Sequence, residues 1–324
     1  MAELRHDLLD DRWIICQPER ARRASDLRPQ GERRVGSAHD CQCPFCPGNE
    51  AQLEAILWEN RPVPQPLWAT RVVANKYPVV RAGSPGEARD EFLAGVHEVV
   101  VETPHHDRAL ADMHASKLTT VIETYRARQR VHAGRAAWVA PFRNHGPSAG
   151  TSLFHAHGQL VATDAVPPAV EARERRAERY LEQTGRCYLC DILERERREG
   201  ARWLGENRAF AAFVPYAAEV RFEIWIAPKA HAADFDRLPD AALRGLASLL
   251  REVLRALRDR AGDPDYNLMI LSASRARRAS AAWHWFLRLR PRTTALGGFE
   301  LASGIVVNPG WPESDAALLR GRSS

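Results

Sequence analysis

Residues 152–162, SLFHAHGQLVA, set His155 and His157 one residue apart in an apolar stretch, with Gln159 two positions further on. On a strand, positions i and i+2 face the same side, so the two imidazoles and the amide would share one face. An imidazole can ligate a metal, move a proton or attack as a nucleophile, and the pair alone leaves open which histidine does which. Four of the six cysteines form two Cys-x-x-Cys pairs, Cys43/Cys46 in CPFCPGNE and Cys187/Cys190 in CYLCDIL, with Cys16 and Cys41 left over. In an intracellular chain such pairs read as redox or metal sites rather than as a disulfide set.

From each pair onward the chain repeats itself. After Cys43/Cys46 come TRVVANKYPVV, GVHEVVVETPHH, a helical pattern over residues 109–131, AAWVAPFRN and FHAHGQLVA. After Cys187/Cys190 come NRAFAAFVPY, VRFEIWIAPKAH, a helical pattern over residues 240–261, YNLMILSAS and WHWFLRLRP. Each half thus offers two thiols, a histidine just past a strand and a histidine on a later strand. The candidate ligands are Cys43, Cys46, His106 and His155 in one half, and Cys187, Cys190, His231 and His284 in the other. Two thiolates and two imidazoles make a closed tetrahedral zinc site, which would staple a loop to a sheet. His105 is an alternative to its neighbour His106, and buried thiols beside satisfied core histidines are the alternative to a metal.

The repeat divides the opening pair. Superposition sets His155-Ala156-His157 against His284-Trp285-Phe286, so the first histidine is shared and His157 is the extra group. One half would then carry the chemistry. The turn before the strand, NHGPSAGTS over residues 144–152, offers backbone N–H groups and hydroxyls to an anion. Gln159 could donate its amide to a phosphoryl oxygen as charge develops. His157 would act as general base or nucleophile; a plain turn before a core strand is the alternative.

The elements that must position these groups follow from periodicity. Leu243, Leu246, Leu249, Leu250, Leu254 and Leu257 recur at three- and four-residue steps and predict a helix. Alternation of β-branched and aromatic residues predicts strands over 97–102 and 222–227. Residues 168–183 read as a charged helix and linker. Self-similarity at roughly 140 residues argues for a duplicated domain. The expected fold is α+β: two tandem domains, each an antiparallel sheet with packed helices, dividing into 1–178 with the catalytic group and 179–324 without it.

Composition sets bounds on this reading. The 324 residues, 45% hydrophobic with nine tryptophans, are ample for two cores. No apolar run reaches the ~18 residues of a membrane span. The segment MAELRHDLLDDRW holds no signal-peptide core, so a soluble cytoplasmic protein is expected. The net charge is +5 with only three lysines, and the arginines are mixed with acids, as in EARERRAERYLEQ. That pattern reads as solvated helix faces, and neither nucleic acid nor membrane is expected as a partner.

The set DDRWIICQPERARR, CPFCPGNE, NKYPVV, ETPHHDRAL, NHGPSAGTSLFHAHGQLVA, VPYAAEVRFEIWIAPKAH and GGFELASGIVVNP resembles the galactose-1-phosphate uridylyltransferase family. This is the transferase branch of the histidine-triad superfamily, marked by His-x-His-x-Gln, and the resemblance covers nearly the whole chain. It implies a duplicated histidine-triad fold and a ping-pong transfer in which His157 takes a nucleotide from a nucleotide sugar and an acceptor phosphate collects it. By the same resemblance Gln159 holds phosphoryl oxygens. Asn75, Asn144, Gly150 and Ser152 bind the nucleotide and its phosphates, and Arg20 and Arg23 lie near the phosphates. Phe299 and Glu300 match a pair that contacts the hexose. Zinc is implied at Cys43, Cys46, His106 and His155, and a homodimer is within what the family does. A lysine and a glutamine of the family's sugar-binding tail correspond here to Thr294 and Val306. The second half, with Cys187, Cys190 and His231, is closer to the ADP-glucose phosphorylase branch. The competing functional readings are therefore uridylyl transfer to a hexose 1-phosphate, phosphorolysis of a nucleotide sugar by inorganic phosphate, and a zinc-stapled nucleotide-binding protein without catalysis.

Overall fold

The computed structural model describes residues 2–22, 37–62, 67–83 and 93–321. Strands β1 (Glu3–Asp7) and β2 (Arg12–Cys16) form an antiparallel hairpin, and the distant β13 (Val306–Asn308) joins β2 in parallel. The first half contributes β3 (Ile56–Asn60), β4 (Thr70–Ala74), β5 (Gly95–Val101), β6 (Trp138–His145) and β7 (His157–Thr163). The second contributes β8 (Trp203–Glu206), β9 (Phe210–Phe213), β10 (Ile224–Pro228), β11 (Tyr266–Leu271) and β12 (Phe286–Pro291). These ten strands make one sheet in the order β3-β4-β5-β7-β6-β11-β12-β10-β9-β8, with every neighbouring pair antiparallel.

Read outward from the β6–β11 seam, the two halves have the same strand order, as duplication requires. The seam pairs His145 with Tyr266, Asn144 with Asn267 and Arg143 with Leu268. Periodicity shows that each half has its own sheet; it does not show that the two sheets join.

In each half a long helix connects the third and fourth strands and packs on one sheet face: α1 (Ala115–Ala133) and α4 (Asp240–Ala261). The leucine stripe of α4 is buried along its length from Leu243 to Leu257, each side chain contributing about 2 kcal/mol of transfer free energy. With Leu118, Val121, Ile122 and Tyr125 of α1 it forms one core spanning both halves. α1 begins at Ala115, later than the periodicity suggests. His114 caps it by accepting from the Ser116 N–H, and residues 110–112 form a separate 3-10 turn.

On the opposite face the halves differ. α2 (Pro168–Thr184), α3 (Tyr188–Glu199) and Leu9 of the β1–β2 turn roof the second half, burying Phe213, Trp225 and Phe286. Residue 178 falls inside α2, whose buried Glu174 accepts from the backbone N–H and hydroxyl of Ser274 (2.6 and 2.9 Å). The first half carries instead a small core of Cys43, Phe45, Cys46, Trp68, Val73, Val99 and Val101. Among the described residues no helix is long and apolar enough to cross a membrane.

Candidate active site

Four neighbouring strands bring the polar groups to this face of the first half. β7 sets His157 opposite Val101 and Gln159 opposite Val99 of β5, with His97 opposite Val161. Phe142 of β6 pairs with Gln159, so Asn144, two residues further on, faces the same side. Asn75 follows β4 and donates its backbone N–H to the His97 carbonyl (3.0 Å).

His155 and His157 are used in opposite senses. His155 is fully buried, and its Nδ1 lies 3.6 Å from both Cys43 Sγ and Cys46 Sγ. His106 Nδ1 lies 3.5 Å from Cys46 Sγ. The Nε2–H of His155 donates to the Thr103 carbonyl (2.7 Å), which leaves the lone pair on Nδ1, facing the thiols. Burial pushes this imidazole down to about 4, so it is neutral. The second half repeats the arrangement: Cys190 Sγ is 3.6 Å from His231 Nδ1 and 3.4 Å from His284 Nδ1, and His231 Nε2–H donates to the Ser280 carbonyl (3.1 Å). Within each set of four residues the donor atoms lie within 4.8 Å of one another, so each set could hold a metal ion. The expected ligands of both clusters are thus brought together; His105 stands outside them.

His157 instead donates Nδ1–H to the His155 carbonyl (2.8 Å), which leaves its Nε2 lone pair unspent. Burial lowers its pKa, and the Arg143 guanidinium lowers it further, against the pull of the His155 carbonyl and Glu102. The ring is therefore neutral, with Phe45 tilted against it at 5.2 Å. In the second half Phe286 takes this position and packs on Trp225 at 4.5 Å, 1% exposed.

Three side-chain amides have their oxygens tied back. Asn75 Oδ1 accepts from the Tyr77 N–H (2.8 Å). Asn267 donates Nδ2 to the Ala149 carbonyl (2.9 Å), so the Asn144 atom 2.9 Å from the same nitrogen is the acceptor Oδ1. His97 Nε2 lies 2.7 Å from Gln159 Oε1 and 3.1 Å from Asn75 Nδ2. What remains of all three amides is N–H. A donor-only set of this kind suits phosphoryl oxygens and opposes nothing to their charge.

The loop between β6 and β7 is pinned from the second half. Asp265 accepts from the backbone N–H and hydroxyl of Ser148 (2.8 and 2.7 Å). Gly146 (φ 86°) sits against it: a Cβ there would meet Asp265 Oδ1 at 1.7 Å. Gly150 closes the turn at φ 91°, and Ser152 beyond it is exposed. Behind the strand, Tyr125 donates to Glu102 Oε1 (2.8 Å) and Arg143 Nε to Glu102 Oε2 (2.9 Å), a buried network against Gly158.

The other expected residues make no hydrogen bond to this set among the described residues. Arg20 is half-buried on a 3-10 turn after β2, and Arg23 lies outside the described residues. Phe299 and Glu300 sit on the short α5 (Gly298–Ser303), where Glu300 Oε2 accepts from the Gly297 N–H (3.0 Å). No hydrogen bond among the described residues joins either to β7. Sequence reasoning missed His97 and Asn267. His97 carried a signal, a polar residue on the strand face that Val99 and Val101 share; Asn267 carried none, because only the seam register brings it to Asn144.

A model of the galactose-1-phosphate uridyl transferase N-terminal domain matches residues 1–167. The chain is 33% identical to an ADP-glucose phosphorylase of Arabidopsis thaliana over 98% of its length and 92% of the relative's. It is 26% identical to a galactose-1-phosphate uridylyltransferase of Thermotoga maritima over 99% of its length and 98% of the relative's. The crystal structure of an Arabidopsis thaliana ADP-glucose phosphorylase with bound ADP-glucose superposes with a TM-score of 0.85 at 32% identity, covering 100% of this chain and 99% of that one. A duplicated sheet whose β7 carries the second histidine and the glutamine of a His-x-His-x-Gln motif, together with these likenesses, places the chain in the galactose-1-phosphate uridyl transferase family.

Proposed function

We propose that the chain is a nucleotidyltransferase that carries a nucleoside monophosphate from a nucleotide sugar to a sugar 1-phosphate through a covalent nucleotidyl-His157. The observation that carries this reading is the opposed use of the two histidines: His157 alone keeps an unspent nitrogen on the donor-lined face. Its Nε2 lone pair attacks the α-phosphorus; the N–P bond forms, the bond to the bridging oxygen breaks, and the sugar 1-phosphate leaves with both electrons. Nδ1–H stays on the His155 carbonyl, which steadies the positive ring. In the second step an acceptor phosphate oxygen attacks phosphorus and returns the electron pair to Nε2. Gln159, Asn144 and Asn75 supply N–H groups to the phosphoryl oxygens, with Gly150, Ser152, Arg20 and Arg23 completing the nucleotide and phosphate contacts.

The proposal includes zinc at both cysteine–histidine clusters. A tetrahedral ion with sulfur at about 2.3 Å and nitrogen at about 2.05 Å separates S from N by about 3.6 Å, and the observed separations are 3.4–3.6 Å. Zinc there would fix the strand that presents His157. Thiolate ligands suit a reducing compartment, so a cytoplasmic location is part of the proposal. Phe299 and Glu300, which make no hydrogen bond to β7 among the described residues, would reach a sugar in a partner copy's site, which makes a homodimer part of it too.

A second reading differs only in donor and acceptor: phosphorolysis of ADP-glucose by inorganic phosphate, favoured by the 33% identity to the plant phosphorylase against 26% to the Thermotoga enzyme. Turnover of UDP-glucose and ADP-glucose, each with galactose 1-phosphate, glucose 1-phosphate and phosphate, separates them. UDP-glucose with galactose 1-phosphate supports the first, ADP-glucose with phosphate the second, and turnover in no combination contradicts both.

A further inference from the structure

We propose that His97 is a positioning residue for this transfer, holding the Gln159 amide with its nitrogen toward the phosphoryl group; the proposal rests on the nucleophilic role given to His157. The Val79 contact sets the hydrogen-bond roles. A backbone N–H only donates, and that of Val79 lies 3.2 Å from His97 Nδ1, so Nδ1 accepts. In a neutral ring Nε2 then carries the hydrogen, and the Gln159 atom 2.7 Å from it is the acceptor Oε1. Burial lowers the His97 pKa, against the pull of Gln159, and keeps the ring neutral.

The geometry has a direct consequence for catalysis. Rotation of a glutamine amide about its last torsion is broad and two-fold, so an untethered Gln159 would turn its oxygen to the site as readily as its nitrogen. The reversed amide sets a lone pair against the phosphoryl oxygens instead of a donor. His97 is 7% exposed and acts through Gln159. The Asn75 nitrogen 3.1 Å from Nε2 also carries hydrogens, so it is a neighbour and not a competing acceptor.

Single-turnover formation of the His157 adduct tests this in the wild type, His97→Phe, Gln159→Ala and the double variant, with thermal midpoint and metal content as controls. His97→Phe is expected to slow adduct formation about tenfold or more, within the range seen for lost transition-state donors. It should leave nucleotide-sugar affinity unchanged and add nothing to Gln159→Ala. His97→Gln, which keeps a donor within reach of Oε1, should recover most of the rate. Losses that multiply in the double variant, or a His97→Gln no faster than His97→Phe, overturn the proposal. Imidazole nitrogen shifts of the resting protein give an answer independent of turnover: the Nε2–H tautomer is expected, and the Nδ1–H tautomer overturns the proposal. A wild type with that Nε2–H tautomer but no adduct would instead count against the His157 reading.

Discussion

His155 lies in the bend just before β7 and His157 is the strand's first residue, and the two rings donate from opposite nitrogens, to the Thr103 and His155 carbonyls. One hydrogen bond per ring decides which lone pair is left and where it points. The same economy governs Asn75, Asn144 and Gln159, whose oxygens are spent on the protein so that nitrogen faces outward. A different residue, far from the site, has a cost that pH exposes. Burial and the neighbouring Asp10 carboxylate push Asp7 up to about 6, against the pull of Arg288. A carboxyl with a raised folded pKa binds its proton more tightly in the native state. Its charge therefore costs stability above pH 6, and that cost fades as pH falls through 6 toward the unfolded value of about 3.9. Asp7 Oδ1 accepts from the Leu9 and Asp10 N–H groups, which an asparagine oxygen also does. Asp7→Asn should thus stabilise the fold at pH 8 by on the order of 2 kcal/mol, the gain vanishing near pH 4 in denaturant titrations. A gain independent of pH would contradict the assignment.

Strand β7 is held by contacts on both faces, and Gly158 shows how tightly. A Cβ there would meet Tyr125 Oη at 1.7 Å and the Phe142 carbonyl at 2.9 Å. Tyr125 cannot retreat without leaving Glu102, which also accepts from buried Arg143. Gly158→Ala should cost about 3 kcal/mol, measured as a lowered denaturation midpoint, and a near-neutral result would mean the strand floats. Elements of this kind were legible to different degrees. The leucine spacing of α4 yields its observed limits, because an unbroken apolar stripe runs from capping proline to terminal glycine. α1 is shorter than its pattern suggests, because 3-10 turns share the apolar spacing of a first helical turn. The cysteine–histidine clusters could be read because each motif occurs twice. His97 offered only a weak signal, a polar residue on the face of Val99 and Val101, because a histidine inside an apolar strand looks the same whether it packs or works.

The whole molecule turns a symmetric duplication into an asymmetric enzyme. The β6–β11 seam fuses two equivalent sheets, and then α2, α3 and the N-terminal hairpin roof only one of them, where Phe286 stands in the place of His157. The roofed half still serves the other, because Asn267 orients Asn144 and Asp265 pins the loop. The register that does this is set by the packed halves and by no local pattern, which is why it was invisible in the sequence. Asn267→Ala should slow nucleotidyl transfer about tenfold or more while both metal sites stay loaded; full activity would show that the second half is only a support. The central claim is a division between neighbouring histidines, one for structure and one for chemistry. It is tested most directly by intact-protein mass spectrometry after addition of UDP-glucose or ADP-glucose without acceptor. The account predicts a gain of one nucleoside monophosphate per chain in the wild type, no gain in a folded, metal-loaded His157→Ala, and loss of one metal ion in His155→Ala. An adduct that persists in His157→Ala, or a His155→Ala protein that keeps its full metal content, would contradict it.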